Sequence, residues 1–402
     1  MPKKERMLMM SSLGLPDFSN LDEFSKLIGL STRLLFCLSK KTASHYKVKY
    51  IPKRNGGARQ LSIPSYTLRI VQRWILINIL NKLKPSNQAM AFRLGKEYGS
   101  KNNASCHLGT LYGLSIDLKD FFPSISASKV YTIFSDIGYN SFAATLLTNL
   151  CTLDGRLPQG SPCSPAIANL VCLSLDHRLL GLCRRRGMIF TRYADDMYFS
   201  CDNKSLLLGY APVIRHIIED EGFCINEDKV HFIVPSNKKQ ITGITVASIR
   251  KNEPDELKAP RAMKKKIRAE IFHCIVSGDY GTQQHIMGEI AYVSFIENEN
   301  THSFKASIKE YISKVAEKIL YFPELVELYN SHLFFNDLER LVPLPVTPED
   351  EEDSIYLSSL LRERNNYMEK HGLPDICDYS TWPSELFDVS LHTPDDDEDS
   401  PF

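Results

Sequence analysis

The sequence has few of the features that mark membrane-embedded, secreted or zinc-stabilised proteins. It contains no run of about 18 apolar residues, so no transmembrane helix is expected. The first residues, Met-Pro-Lys-Lys-Glu-Arg-Met, lack a signal-peptide pattern. The ten cysteines include no C-x-x-C pair and no zinc-site clustering, which indicates reduced thiols. We therefore expect a cytoplasmic protein with no membrane partner.

The chain also lacks a net charge, yet its charges are unevenly distributed. Residues 321–402 hold 20 acidic and 4 basic side chains, whereas the rest of the chain holds 28 acidic and 44 basic ones. A basic body suits the binding of a phosphate backbone. The acidic end has three interpretations: a segment that docks on a basic partner, a solubilising tail, or a segment that folds back over the basic surface.

Two adjacent carboxylates, Asp195 and Asp196, lie in the middle of the segment Met188–Cys201. The β-branched and aromatic residues that flank them predict a β-hairpin with an acidic tip. On its own, an Asp-Asp pair is most often a solvated turn. Like-charge repulsion makes the pair costly unless a cation lies beside it.

A second acidic position lies upstream, in Tyr112–Pro123. Apolar residues at every second position predict a strand with Asp117 on the opposite face, where the small residues Gly113 and Ser115 precede it. We expect an open shelf beside Asp117. Across a sheet, Asp117 can meet the Asp-Asp pair, which places three carboxylates around two divalent cations.

Two further segments contain residues suited to ligand binding. The loop Leu157–Pro165 precedes a helix that starts at Ser164 and Pro165, and its Gln159 lies where a ligand can approach the backbone. Alone it is an ordinary Pro/Gly turn. The segment Tyr46–Pro64 predicts a hairpin with basic residues near its Asn-Gly tip, which by itself is most often a solvated basic hairpin.

Three ordered motifs carry a family resemblance. IDLKDFF at 116–122, LPQGSPCSP at 157–165 and YADD at 193–196 together resemble the catalytic core of reverse transcriptases. NASCH at 103–107 resembles the N-A-x-x-H signature of retron reverse transcriptases. ITG at 241–243 resembles their V-T-G signature, with Ile in place of the first Val. The resemblance covers roughly residues 15–320 and makes the retron enzymes the leading subfamily.

The resemblance implies an α+β fold: a right-hand polymerase with fingers, an antiparallel palm sheet and a helical thumb, plus a C-terminal acidic extension. The expected domains are a helical cap at 1–45, the fingers and palm at 46–250, the thumb at 251–322 and the extension at 323–402. The thumb begins with the amphipathic basic helix Pro260–Val276.

The resemblance also implies roles for individual residues. Two Mg²⁺ ions, with Mn²⁺ as a possible substitute, would be held by Asp117, Asp195, Asp196 and the backbone carbonyl of Leu118. The nucleotide-binding residues would be Lys53, Arg59, Phe122, Gln159, Tyr193 and Lys229. Phe122 would be the steric gate that excludes a ribose 2′-hydroxyl. The RNA-binding residues would be Asn103, His107, Lys264, Lys265, Lys266 and Arg268. A loop histidine and a surface lysine remain alternatives for His107 and Lys229.

The implied reaction is RNA-templated DNA synthesis from deoxynucleoside triphosphates in a bacterial cytoplasm. Retron enzymes start from a 2′-hydroxyl of a structured non-coding RNA, which is template and primer, and they produce branched DNA. An effector protein and defence against phage are also implied. One alternative is a group II intron type enzyme, although no maturase or endonuclease extension with paired cysteines is present. Another is a catalytically silent RNA-binding scaffold, against which the three intact aspartates argue.

Overall fold

The computed structural model describes residue 8 and residues 10–52, 56–248, 255–277, 281–297, 304 and 307–312. The tip of the basic hairpin, including Lys53, and the acidic extension at 323–402 lie outside the described residues. The predicted domain boundaries remain predictions.

Two short helices, α1 (Leu21–Ile28) and α2 (Thr32–Lys40), lie in the region predicted to be a helical cap at 1–45. Asn20 and Ser31 cap them by accepting hydrogen bonds from backbone N–H groups of the first turn. The rings of Phe18 and Phe24 lie 4.7 Å apart, and Phe24 packs edge-on against Trp74 at 5.5 Å. The N-terminal segment therefore shares its core with the elements that follow.

The predicted basic hairpin is confirmed as β1 (Tyr46–Pro52) paired antiparallel with β2 (Ala58–Pro64). Helix α3 (Tyr66–Asn78) follows and buries Leu68, Val71 and Ile75. These residues recur at intervals of three and four, which places them on one helix face.

The central sheet has four antiparallel strands in the order β4-β5-β3-β6. Its strands are β3 (Tyr112–Asp117), β4 (Ile189–Tyr193), β5 (Asp196–Cys201) and β6 (His231–Ile233). The apolar residues of β3 and β5 alternate into the main core. The antiparallel palm sheet expected from the family resemblance is thereby confirmed.

Helices surround this sheet. Between β2 and β4 the chain forms α4 (Ser100–Ser105), α5 (Phe121–Ser124), α6 (Ala127–Asp136), α7 (Ser141–Cys151), α8 (Ser164–Val171) and α9 (Leu173–Arg184), and α10 (Lys204–Asp220) follows β5. Helices α6 and α7 are separated at Gly138, which has a φ of 109° that residues other than glycine rarely adopt.

A second, three-stranded antiparallel sheet follows the palm and was not predicted. Its strands are β7 (Lys239–Ile241), β8 (Ile244–Ser248) and β9 (Asp255–Lys258). Helices α11 (Arg261–Ser277) and α12 (Gln283–Glu297) come next and contact each other. Both bury apolar residues, among them Ile267, Ile271, Ile286 and Ile290. Helix α11 matches the amphipathic basic helix expected at Pro260–Val276.

Within the described residues, no individual helix has both the length and the apolar composition needed to cross a membrane. The adjacent helices α8 and α9, which are bent by 47°, reach that length and composition only when taken together.

Candidate active site

The β4–β5 turn presents the Asp-Asp pair at one end of the central sheet. Tyr193 pairs with Asp196, so Ala194 and Asp195 alone form a two-residue turn. Ala194 has a φ of 58°, the sign required at the first position of a type II′ hairpin turn. A non-glycine residue in this conformation costs about 1–2 kcal/mol. The turn is therefore strained at the residue that precedes the two carboxylates.

Three carboxylates converge at this turn, as the sequence predicted. The Cα atom of Asp117 lies opposite that of Asp196 in the β3–β5 register. The backbone N–H of Leu118 donates a hydrogen bond of 3.0 Å to the carbonyl of Asp195. Asp117 is only 5% exposed, so its charge is largely removed from water.

The expected open shelf beside Asp117 is partly filled. A side chain on Gly113 would clash with the hydroxyl of Tyr198, which reaches across from β5. Gly113 therefore makes room for the side chain of Tyr198 and not for a ligand.

The electrostatics of the three carboxylates favour a bound cation. Burial, followed by the charges of Asp195 and Asp117, raises the pKa of Asp196 to about 7. Burial also raises the pKa of Asp195. Carboxylate oxygens are the ligands that Mg²⁺ and Mn²⁺ prefer. The donor set fits divalent cations, whose charge would offset both the burial and the mutual repulsion of the carboxylates.

A lysine places a positive charge beside the three carboxylates. The Nζ atom of Lys229 lies 2.8 Å from Oδ1 of Asp117, and this contact raises the pKa of the lysine. The amide of Asn226 donates to the other oxygen of Asp117 at 3.0 Å. Lys229 is therefore a carboxylate partner in this structure, in addition to being a candidate for contact with a nucleotide.

The Gln159 loop packs against the fingers hairpin. The carbonyl of Gln159 accepts a hydrogen bond of 2.7 Å from the N–H of Ser62 in β2. A side chain on Gly160, whose φ is 126°, would clash with the carbonyl oxygen of Ser62. Gly160 therefore allows β2, a strand of this same protein, to approach the loop closely. Gln159 itself is half-buried beside β2.

Two other predicted nucleotide-binding residues, Arg59 and Phe122, differ in their surroundings. Arg59 is exposed on β2, and its charge acts on Asp195 by opposing the rise in pKa that burial causes. The half-buried ring of Phe122 lies 6.3 Å from the ring of Phe92. Phe92 is 50% exposed and has a φ of 58°, so an aromatic residue is held in a strained conformation beside the predicted gate.

Tyr193 is half-buried. Burial raises the pKa of its phenol, and Tyr292 of α12 adds to this effect.

Asn103 and His107 are buried, which disagrees with the prediction that they bind RNA directly. His107 is fully buried, and its ring nitrogens lie 2.6 Å from the Ser200 hydroxyl and 2.8 Å from the Thr191 hydroxyl. Asn103 is 2% exposed. The conformation of this segment is set by packing on the palm sheet, which sequence alone does not reveal.

The segments that carry the two retron-like signatures contact each other. The ammonium group of Lys239, two residues before the ITG triplet, donates to the carbonyls of His107 and Thr110. The hydroxyl of Thr242 donates to the carbonyl of Ser100 at 3.1 Å. The signatures thus form one structural unit that joins the palm to the second sheet.

The stability of the protein is expected to fall in acid because of His107. Burial, followed by the charge of Lys239, lowers the pKa of His107 from 6.5 to about 3. The folded state therefore favours the neutral ring, and this contribution is complete above about pH 6.5 and lost as pH falls towards 3. Melting temperatures measured between pH 7 and pH 5 should fall more steeply for the wild type than for His107→Gln.

A matched substitution at the exposed His216 of α10 should leave the wild-type slope unchanged. Parallel pH profiles for the wild type and His107→Gln would contradict the assignment of His107 as a buried neutral group.

The basic face of the thumb is largely paired within the protein. Three of the four predicted RNA-binding residues of α11 already contact other side chains, which leaves fewer free charges than the sequence suggested. The partners are Glu297 for Lys264, Glu289 and Glu270 for Lys266, and Phe304 and Ser307 for Arg268. Lys265 is exposed and has no ion pair with any residue that the structure describes. It is the residue of this group best placed to meet a phosphate.

Sequence reasoning missed two polar residues at the site. Asn226 contacts Asp117, as described above, and Arg192 is fully buried beneath the β4–β5 turn. Neither residue belongs to a motif with a known spacing. An arginine next to YADD in a predicted core strand was the one available signal, because a buried charge requires partners.

Comparison with known proteins agrees with this geometry. Residues 51–246 match the family described as reverse transcriptase (RNA-dependent DNA polymerase). The Ec86 retron reverse transcriptase of Escherichia coli is 35% identical over 76% of this chain and 92% of its own length. The Mx162 retron reverse transcriptase of Myxococcus xanthus is 31% identical over 74% of this chain and 68% of its own length.

Solved structures give weaker likenesses. Telomerase from Candida albicans, in complex with a fragment of telomeric RNA, is 10% identical with a TM-score of 0.38, over 73% of this chain and 62% of that one. The foamy viral protease–reverse transcriptase bound to double-stranded DNA is 17% identical with the same TM-score, over 71% of this chain and 44% of that one. These scores are too low to support an inference. The sequence relationship is sufficient by itself, and this chain belongs to the retron reverse transcriptases, which are RNA-directed DNA polymerases.

Proposed function

We propose that this enzyme copies part of a structured non-coding RNA into single-stranded DNA that stays joined to the RNA through a 2′–5′ branch. The RNA is both template and primer, the reaction takes place in a bacterial cytoplasm, and the product serves an anti-phage defence system. The support comes from the sequence relationship to retron enzymes. The observation that carries the catalytic part is the convergence of three carboxylates, of which Asp117 is buried, at one sheet end.

Reverse transcriptases use divalent metal ions, and we propose two Mg²⁺ here, with Mn²⁺ as a substitute. Asp117, Asp195 and Asp196 would hold them, with the backbone carbonyl of Leu118 as a further ligand. When bound, such ions lower the pKa of the attacking hydroxyl and stabilise the oxygens of the leaving pyrophosphate. The protein contributes the fixed positions of the carboxylates, which the β3–β5 register and the Leu118–Asp195 hydrogen bond determine.

The nucleotide would bind between β2 and the carboxylates. Arg59 is suited to its phosphates, because a guanidinium offers two parallel donors to phosphate oxygens. Gln159 and Tyr193 would line the pocket, and Phe122 would lie beneath the sugar. Lys229 would exchange its contact with Asp117 for a phosphate oxygen once cations neutralise the carboxylate. Lys53 would extend the phosphate site from the hairpin tip.

The nucleic acid that copurifies with the protein tests this function. Purified wild type should carry an RNA and a DNA strand that remain linked after protease treatment, and a 2′–5′ debranching enzyme should separate them. Asp195→Asn should carry the RNA without the DNA. Unbranched DNA would indicate another kind of reverse transcriptase. RNA without DNA in the wild type would indicate a silent scaffold.

We further propose that the acidic end of the chain recruits an effector protein. Its 20 acidic and 4 basic side chains are interspersed with bulky apolar residues such as Trp382, Leu386 and Phe387, a composition that suits docking on a basic partner. Deletion of residues 346–402 should leave branched-DNA synthesis intact and abolish copurification of the partner. Loss of synthesis would instead assign the segment to the polymerase, and an unchanged complex would leave it a solubilising tail.

A further inference from the structure

A buried cluster beneath the catalytic turn consists of Arg192, Asp176 and Asn169, which we call the Arg192 cluster. Arg192 lies in β4, Asp176 in α9 and Asn169 in α8, and each is at most 1% exposed. The guanidinium binds Asp176 with two parallel hydrogen bonds, from Nε at 2.8 Å and from Nη2 at 2.7 Å. This bidentate geometry fixes the plane of the guanidinium.

The remaining guanidinium nitrogen points at the catalytic turn. Nη1 donates to the carbonyl of Ala194 at 3.1 Å and to the side-chain oxygen of Asn169 at 3.1 Å. Ala194 is the strained residue with a φ of 58°. A strained conformation persists only where its surroundings hold it, and this hydrogen bond does so directly.

Arg192 is also held through its backbone. Its N–H donates to the carbonyl of Gln88 at 2.8 Å, and its carbonyl accepts from the N–H of Met90 at 2.7 Å. The amide of Asn169 donates to the carbonyl of Ala91 at 2.9 Å. The arginine is therefore anchored to α8, to α9 and to the segment that leads to Phe92.

Stability alone does not account for this arrangement. A buried ion pair pays a large desolvation penalty, and replacing one by apolar residues of similar volume is often neutral or stabilising. What an apolar pair cannot provide is a donor to the Ala194 carbonyl. The functional effect of the Arg192 cluster is therefore expected at the β4–β5 turn.

We propose that Arg192 is a positioning residue, which holds the Ala194 carbonyl and so fixes the turn that presents Asp195 and Asp196 to divalent cations. Asp176 and Asn169 orient the guanidinium for this purpose. The inference rests on the proposed metal-binding role of the three carboxylates. It extends that role to residues that touch neither metal nor substrate.

The decisive variant is Arg192→Met combined with Asp176→Leu, which removes both charges together and approximately preserves volume. We expect a melting temperature close to that of the wild type. Mn²⁺ affinity, measured by electron paramagnetic resonance of the free ion, should fall about 10- to 100-fold, the usual effect of losing a group that orients metal ligands. The kcat should fall by a similar factor, and the KM for deoxynucleotides should change less.

Arg192→Lys is the second variant, because it retains a charge beside Asp176 and leaves no unpaired carboxylate. Lysine lacks the planar fork and cannot hold Asp176 and the Ala194 carbonyl together. It should melt near the wild-type temperature and bind Mn²⁺ about 10-fold more weakly. If the double variant does not fold, Arg192→Lys alone tests the proposal.

The matched control makes the same Arg→Met and Asp→Leu changes at the exposed pair Arg178 and Asp220, which should leave Mn²⁺ affinity unchanged. Asp195→Asn provides the reference for a damaged metal site. Wild-type Mn²⁺ affinity in folded Arg192 variants, with weakened binding in Asp195→Asn, would overturn this inference alone. Unchanged binding in Asp195→Asn would instead overturn the metal site itself.

Discussion

Replacing Asp195 with asparagine is expected to abolish DNA synthesis while RNA binding stays nearly intact. The change keeps the size of the side chain and its backbone hydrogen bond with Leu118, but it removes one of three charges that would hold the cations. Losing a metal ligand removes several kcal/mol of transition-state stabilisation, so the rate should fall on the order of 10³-fold or more. Primer extension and RNA affinity should be measured on the same preparation.

The matched control is Asp136→Asn, which makes the same chemical change at an exposed residue of α6. Its rate should equal that of the wild type. Full polymerisation by Asp195→Asn would contradict the assignment of the catalytic site. Parallel loss of RNA binding would mean that the turn, and not the basic surface, holds the RNA.

Replacing Phe122 with alanine is expected to let ribonucleotides compete with deoxynucleotides. The ring is half-buried and braced by Phe92 at 6.3 Å, so its removal opens space that neighbouring side chains do not fill at once. A pocket of this kind discriminates by steric exclusion, which is worth about 1–3 kcal/mol. The ratio of kcat/KM for deoxynucleotides over ribonucleotides should therefore fall about 10- to 100-fold.

Phe122→Leu should give an intermediate ratio, because leucine fills part of the space. Phe142→Ala, at a 44% exposed position on α7, should leave the ratio unchanged. If Phe122→Ala kept wild-type selectivity, the gate would lie elsewhere, and Phe92 would be the next residue to replace.

Several parts of the fold followed from local patterns. The alternation of apolar residues predicted β3, and β-branched and aromatic residues around the Asp-Asp pair predicted the β4–β5 hairpin. Both depend on interactions between residues that are close in sequence. The proximity of Asp117 and Asp196 could also be predicted from the sequence, because two strands with acidic ends can pair in a register that brings those ends together.

Predictions for polar residues in other segments were less successful. Asn103 and His107 were expected to contact RNA and are buried, and most of the basic residues of α11 are paired with α12 or the segment after it. The second sheet was not anticipated, since its strands are three to five residues long. Short strands obtain their stability from partners that local sequence does not identify.

The sequence by itself determined the family and the order of the motifs that carry its carboxylates, because these depend on which side chains occur and in what succession. Only the tertiary structure determined which polar groups are buried. Burial depends on how segments distant in sequence pack: Arg192 meets Asp176 and Asn169 only because α8, α9 and β4 come together beneath the turn. His107 is neutral for the same reason, since its surroundings belong to β4, β5 and β7.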